Sequence, residues 1–189
     1  MKFLLIILIF LFIPYAFYSY TDEEEDWYKT QEGTGIGNCG PASVAMGITY
    51  QTGIDTSVEE IRRYIGKTHP SGSTSFQHLI NTLKHYNISY DIVDLSSVNT
   101  VDKILSTENS IVIILIFPNR ISKSDPSIDE KEGRLYRFDS ESAHYIVLKD
   151  TTRQHFIVHD PMPNGDNRMY NKEEIFKSLK TRKGIEIFK

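Results

Sequence analysis

The 189-residue chain has six histidines and one cysteine, Cys39, in the stretch GNCGPASVAM at residues 37–46. A thiol is a modest nucleophile and a thiolate a strong one. The amino terminus of a helix favours the thiolate through its unpaired N–H groups and about half a positive charge. Asn38 can cap a helix over residues 39–51, with Pro41 in the first turn, where a missing N–H is no loss. Cys39 then stands at that terminus, and its own N–H faces any oxyanion formed beside the sulfur. The plainer alternative is a tight turn into the helix whose small cysteine fits beneath a sheet.

A thiol nucleophile needs a base, and the base needs a group to orient it. His69 precedes Pro70 in a polar loop, and His78 and His85 fall beside the apolar face of a helix, so all three read as surface residues. His144, His155 and His159 lie on a hairpin made by SAHYIVLKD and QHFIVHD around Thr151 and Thr152. Asp160 ends the second strand, and Pro161 stops the pairing there. Register then selects the histidine. A three-residue loop sets His144 opposite Asp160, with Cβ atoms about 4.5–5.5 Å apart. A two-residue loop sets His144 opposite His159 and turns Asp160 to the other face. The sequence leaves both loops open. A metal site built from His155, His159 and Asp160 is disfavoured, because strand neighbours point to opposite faces and no third and fourth ligand stands at usable spacing. No metal or cofactor is expected.

The elements that must hold these groups begin with helices. The one at Cys39 is thin, with Ala42, Ser43, Ala45 and Gly47, so neighbours can approach its backbone closely. A second starts at the capping box Ser57-Val58-Glu59-Glu60 and sets Val58, Ile61 and Ile65 on one face. A third follows Ser75, carries Phe76, Leu79, Ile80, Leu83 and Tyr86, and stops at Asn87. Strands then take over. Ile88, Tyr90 and Ile92 alternate, a short helix spans 101–105, and the continuous apolar run at 110–117 suits a strand buried on both faces. Residues 118–142 form a long, charge-rich loop bordering the cleft, with a candidate strand at 134–138. Asn171 with Glu174 caps a last helix, and 185–188 closes the chain as a strand. Helices followed by a mostly antiparallel sheet indicate an α+β fold in a single domain over residues 27–189.

Residues 1–20 hold one Lys, an unbroken apolar run from Phe3 to Ile13, and then Pro14, the layout of a secretory signal. No clean small-x-small cleavage site follows, so an uncleaved amino-terminal anchor is the alternative to cleavage. Either one places the remaining chain, beginning with an acidic spacer at 21–26, outside the cytoplasm, secreted or at the cell surface. In that setting a lone thiol is buried filler, an intermolecular bridge or a reactive group. The net charge of −4, with no basic stripe, argues against a nucleic-acid partner. A monomer with no membrane contact beyond that segment is expected.

Four pieces in this order, NCGPASVAM, SAHYIVLKD, FIVHDP and YNKEEIFKSL, resemble the bacteriocin-processing cysteine peptidases and the stand-alone domains related to them in the papain-like clan. The resemblance covers residues 27–189. It implies a papain-like fold and a peptide or protein substrate, with Cys39 as nucleophile, His144 as general base and then acid, and Asp160 as its orienter. It departs at one place. The family's oxyanion Gln lies six residues before the cysteine, where this chain has Gly33, and the nearest Gln is Gln31, eight before. A longer loop can bring Gln31 back, Asn38 can serve instead, or the Cys39 N–H can carry most of the task. Bacteriocin specificity is not implied. An acyltransferase or amidase using the same triad, and a non-catalytic binding module on this fold, are the rival readings.

Overall fold

The computed structural model describes residues 27–31, 37–66, 73–107, 109–121 and 142–189. The signal segment at 1–20, the spacer at 21–26, the glycine-rich approach at 33–36, His69, and the candidate strand at 134–138 lie outside the described residues.

Helix α1 (Cys39–Thr52) is buried on every side from Cys39 to Thr49. Its small residues allow that: a Cβ on Gly47 would fall 2.3 Å from Ile187 Cδ1 in the sheet. In α2 (Val58–Tyr64) the Ser57 hydroxyl accepts from Glu60 N, but the expected reciprocal half of the capping box is missing. The Glu60 carboxylate accepts from Tyr86 Oη instead, at 2.7 Å. Helix α3 (Phe76–His85) has the complete box, with His78 Nδ1 accepting the Ser75 N–H where a Glu or Gln usually does. Asn87, at φ 55, ends it in the left-handed conformation that asparagine tolerates.

The strands β1 (Tyr90–Asp94), β2 (Ser110–Ile116), β3 (His144–Thr151), β4 (His155–His159), β5 (Arg168–Asn171) and β6 (Lys183–Phe188) form one antiparallel sheet in the order β1-β6-β2-β3-β4-β5. Helix α4 (Val98–Leu105) begins at Val98 rather than Val101, because Ser97 caps it by accepting from Thr100 N. Helix α5 (Lys172–Ser178) is capped by Asn171 Oδ1, which accepts from Glu173 N and Glu174 N. Helices α1–α3 cover one face of the sheet over a core that includes Met46, Leu79, Leu83, Ile113, Val147 and Ile187. Helices α4 and α5 cover the other over Val101, Val112, Ile114, Ile146, Phe156 and Ile175. β2 feeds both cores through alternate residues, so its sequence is apolar throughout. Among the described residues no helix is long and apolar enough to cross a membrane.

The β3–β4 hairpin adopts neither expected register. Val147 pairs with His159 and Leu148 with Val158. After a bulge that skips Lys149, Asp150 pairs with Ile157 and Thr151 with Phe156. His144 therefore stands opposite neither Asp160 nor His159. Extended one step, the pairing sets Asp160 against Ile146. That makes His144 its diagonal neighbour on the same face, a separation long side chains still close.

Candidate active site

Cys39 is the first residue of α1 and only 8% exposed. Asn38 precedes it as N-cap at φ −92, ψ 14, and its side chain makes no capping hydrogen bond, contrary to expectation. The reason is local. A capping side chain normally takes the N–H of the second or third helical residue. The third is Pro41, which has none, and the Gly40 N–H is directed at the Cys39 sulfur. Gly37, at φ 79, makes the left-handed turn into this end. Thr74 closes over it so tightly that a Cβ on Gly40 would lie 2.8 Å from Thr74 Cβ.

The sulfur also receives the Tyr145 N–H and a hydrogen bond with the His144 imidazole. His144 opens β3 and is buried. Its Nε2 lies 2.8 Å from Asp160 Oδ1, which leaves Nδ1 as the nitrogen for the thiol. Asp160 is wholly buried just past β4. Its Oδ1 also accepts the Met162 N–H at 3.0 Å, and its Oδ2 accepts Tyr170 Oη at 3.0 Å. Three donors thus fix both oxygens.

Burial opposes charge on Cys39 and on His144, yet in both the neighbours win. Desolvation pushes the thiol up, and the hydrogen bond and charge of His144 bring it below its ordinary value. Desolvation pushes the imidazole down, and the Asp160 carboxylate, followed by Cys39, raises it above its ordinary value. Both shifts run toward a thiolate beside an imidazolium. Tyr145, 3% exposed, has its phenol raised by burial and then by the charge of Cys39, so it stays protonated.

Gln31 sits on the turn that follows Asp160. Its N–H donates to Pro161 O at 2.7 Å, and its Nε2 donates to Met162 Sδ at 2.9 Å. The structure thus brings Cys39, His144 and Asp160 together and sets Gln31 against Met162, two residues beyond Asp160. The other hairpin histidines go elsewhere: His155 pairs with Asn171, and His159 Nδ1 accepts the Asn167 N–H while its ring meets Trp27. His78 and His85 are exposed. Among the described residues no group of three or more His, Cys, Asp or Glu could hold a metal ion. Sequence reasoning missed Tyr170, Tyr28 and the Met162 N–H. Tyr170 lies on β5, a four-residue strand hidden behind the turn-rich stretch PMPNGDN; the other two act through groups that carry no motif.

The profile of the Peptidase_C39 like family matches residues 17–184. Three crystal structures share the fold. The peptidase domain of ComA from Streptococcus, a bifunctional ABC transporter involved in quorum sensing, is 17% identical over 85% of this chain and 96% of its own, with a TM-score of 0.60. A Bacillus anthracis protein named as a C39-like peptidase is 13% identical over 86% and 94%, also at 0.60. The double glycine motif protease from an AMS/PCAT transporter, in complex with the leader peptide, is 17% identical over 85% and 89%, at 0.52. No curated protein matches the chain. The chain belongs to the Peptidase_C39-like family and has the papain-like cysteine peptidase fold.

Proposed function

We propose that this chain is an exported cysteine peptidase that hydrolyses peptide or isopeptide bonds through Cys39, His144 and Asp160. The supporting observation is the unbroken path from sulfur to imidazole to carboxylate, closed at its far end by the Met162 N–H and Tyr170 Oη. The Cys39 thiolate attacks the carbonyl carbon, and the oxygen gathers negative charge. The Cys39 N–H, which has no acceptor within its own helix, faces that oxygen. Gln31 is assigned as the second donor because its backbone and its side-chain amide are held against the turn that carries Asp160. The His144 imidazolium protonates the leaving nitrogen, the C–N bond breaks, and a thioester remains. His144 then takes a proton from water, the hydroxide cleaves the thioester, and the ion pair is restored.

Export rests on the apolar segment at 3–13. The substrate is proposed as a peptide or protein outside the cytoplasm, and the leader peptide held by the transporter protease is not assigned to this chain. The test is labelling by a thiol-directed epoxide or vinyl sulfone together with peptide hydrolysis. Wild type should be labelled and active and Cys39→Ser neither; equal labelling of both, or of neither, ends this reading.

A further inference from the structure

Residues 27–31 form no helix or strand, yet they cross the turn that carries Asp160 and bond to three successive carbonyls. The one Tyr28 hydroxyl hydrogen is shared between two carbonyls, Met162 O at 2.5 Å and Asp160 O at 3.0 Å. Pro161 O accepts the Gln31 N–H at 2.7 Å and Thr30 Oγ1 at 3.2 Å. Tyr28 Oη also accepts the Gly165 N–H at 3.0 Å, and Gln31 Nε2 meets Met162 Sδ. The Trp27 ring packs edge-on against His159, centroids 4.2 Å apart. Within the turn, Asp160 N donates to Gly165 O, Gly165 N to Met162 O and Met162 N to Asp160 Oδ1, while Pro161 offers no N–H. Burial holds the Tyr28 phenol up at about 12, so it stays a neutral donor throughout the range in which a peptidase works.

We propose that this strap is a positioning element of the site and Tyr28 its central positioning residue. By gripping the carbonyls of residues 160–162, it fixes the Met162 N–H that orients the Asp160 carboxylate toward His144. The catalytic consequence rests on the peptidase reading; the effect on the Cys39–His144 pair does not. The titratable groups around that pair are Asp160 from the turn, Tyr145 from β3 beside Cys39, Tyr170 from β5 on Asp160 and, behind the turn, Tyr28 with Asp166; His159 lies on the same side with its ring on Trp27.

The experiment uses the full chain and measures Cys39 alkylation by iodoacetamide against pH, with no substrate present. In Tyr28→Phe, the rate at pH 6 should fall about tenfold, below the about hundredfold that a 1 Å misplacement can cost. The profile should move to higher pH, and peptide hydrolysis should lose kcat with KM unchanged. In an Asp160→Asn background Tyr28→Phe should change nothing further, because its route runs through that carboxylate. A merely structural role would lower the melting temperature, leave the alkylation profile where it was, and overturn the proposal. An undiminished effect of Tyr28→Phe in the Asp160→Asn background would also overturn it. If Tyr28→Phe does not fold, Thr30→Val, which removes one bond to Pro161 O, should move the profile the same way by less. An unmoved Thr30→Val profile then counts against the proposal. A profile that responds in a chain cleaving no peptide would keep the strap and remove the peptidase.

Discussion

Opposite charges at the Cys39–His144 pair are each answered within hydrogen-bond reach, an imidazolium twice, by sulfur and by Asp160. The signs of both shifts set a pH window. An ordinary thiol, with a pKa of about 8.5, is ionised to only about 0.3% at pH 6. Cys39 is held lower, so its alkylation should set in at lower pH than that of an ordinary thiol, and a rate that climbs only above pH 8 would contradict the ion pair. Asp160→Asn removes the charge that raises His144. The imidazole then loses its proton at lower pH, its support for the thiolate weakens, and the alkylation profile shifts upward in pH. kcat for peptide hydrolysis should fall by at least about a hundredfold, as when the carboxylate of a serine peptidase triad is neutralised. Tyr145 gives a contrasting case. Among the described residues its buried hydroxyl has no partner, and an unpaired buried polar group costs about 1–3 kcal/mol. Tyr145→Phe should therefore leave the melting temperature equal or higher; a clear drop would reveal a bond to that hydroxyl.

Elements carrying their own periodicity and caps were legible in the sequence: α1 from Cys39, α3 from Ser75 to Asn87, and β2 as a strand apolar on both faces. The hairpin register was not, because the turn closes at Arg153-Gln154, where Thr152 N donates to His155 O, rather than around Thr151 and Thr152, and the bulge at Lys149 then shifts the pairing by one residue. Asp160 was still recognised beside His144, since parity puts both on one face in this register as in the three-residue-loop register. Strand β5 was illegible for another reason, and so was the placing of α4 and α5 together on the second face. Four residues after a turn carry little periodicity, and only tertiary packing on Phe156 and Ile175 distinguishes them. The turn before β5 is tightly built at Gly165. A Cβ on Gly165 would lie 2.0 Å from Asp160 O and 2.7 Å from Met162 O, both main-chain atoms with no rotamer to yield. Gly165→Ala should open the turn, lower the melting temperature, and reduce alkylation of Cys39 at pH 6. Retention of both at wild-type values would mean that the turn can move without moving Asp160.

At the scale of the molecule, the site belongs to no single layer. The sulfur comes from the helices on one face of the sheet, the imidazole from a central strand, the carboxylate from a turn near the far edge, and the grip on that turn from residues 27–31. The sheet with its two cores is one cooperative body, because β2 and β3 contribute side chains to both clusters. Fully burying each Ile or Leu there contributes about 1.5–3 kcal/mol. The strap is anchored less firmly, by Trp27 and Tyr28 packed at the edge of the first core. Trp27, Tyr28, Thr30 and Gln31 are only partly buried, and the ion pair of Lys29 with the well-exposed Asp55 adds little. Its opening free energy should therefore fall below that of global unfolding, as expected for segments with few buried apolar contacts. In a urea titration at pH 6, rapid alkylation of Cys39 should disappear before the helical circular dichroism does, because an undocked strap loosens Asp160 while the sheet stays folded. Tyr28→Phe should widen the gap between the two midpoints by lowering the first and sparing most of the second. If the two curves coincide in wild type and move together in the variant, the strap is part of the cooperative core, and the site has no separately releasable part.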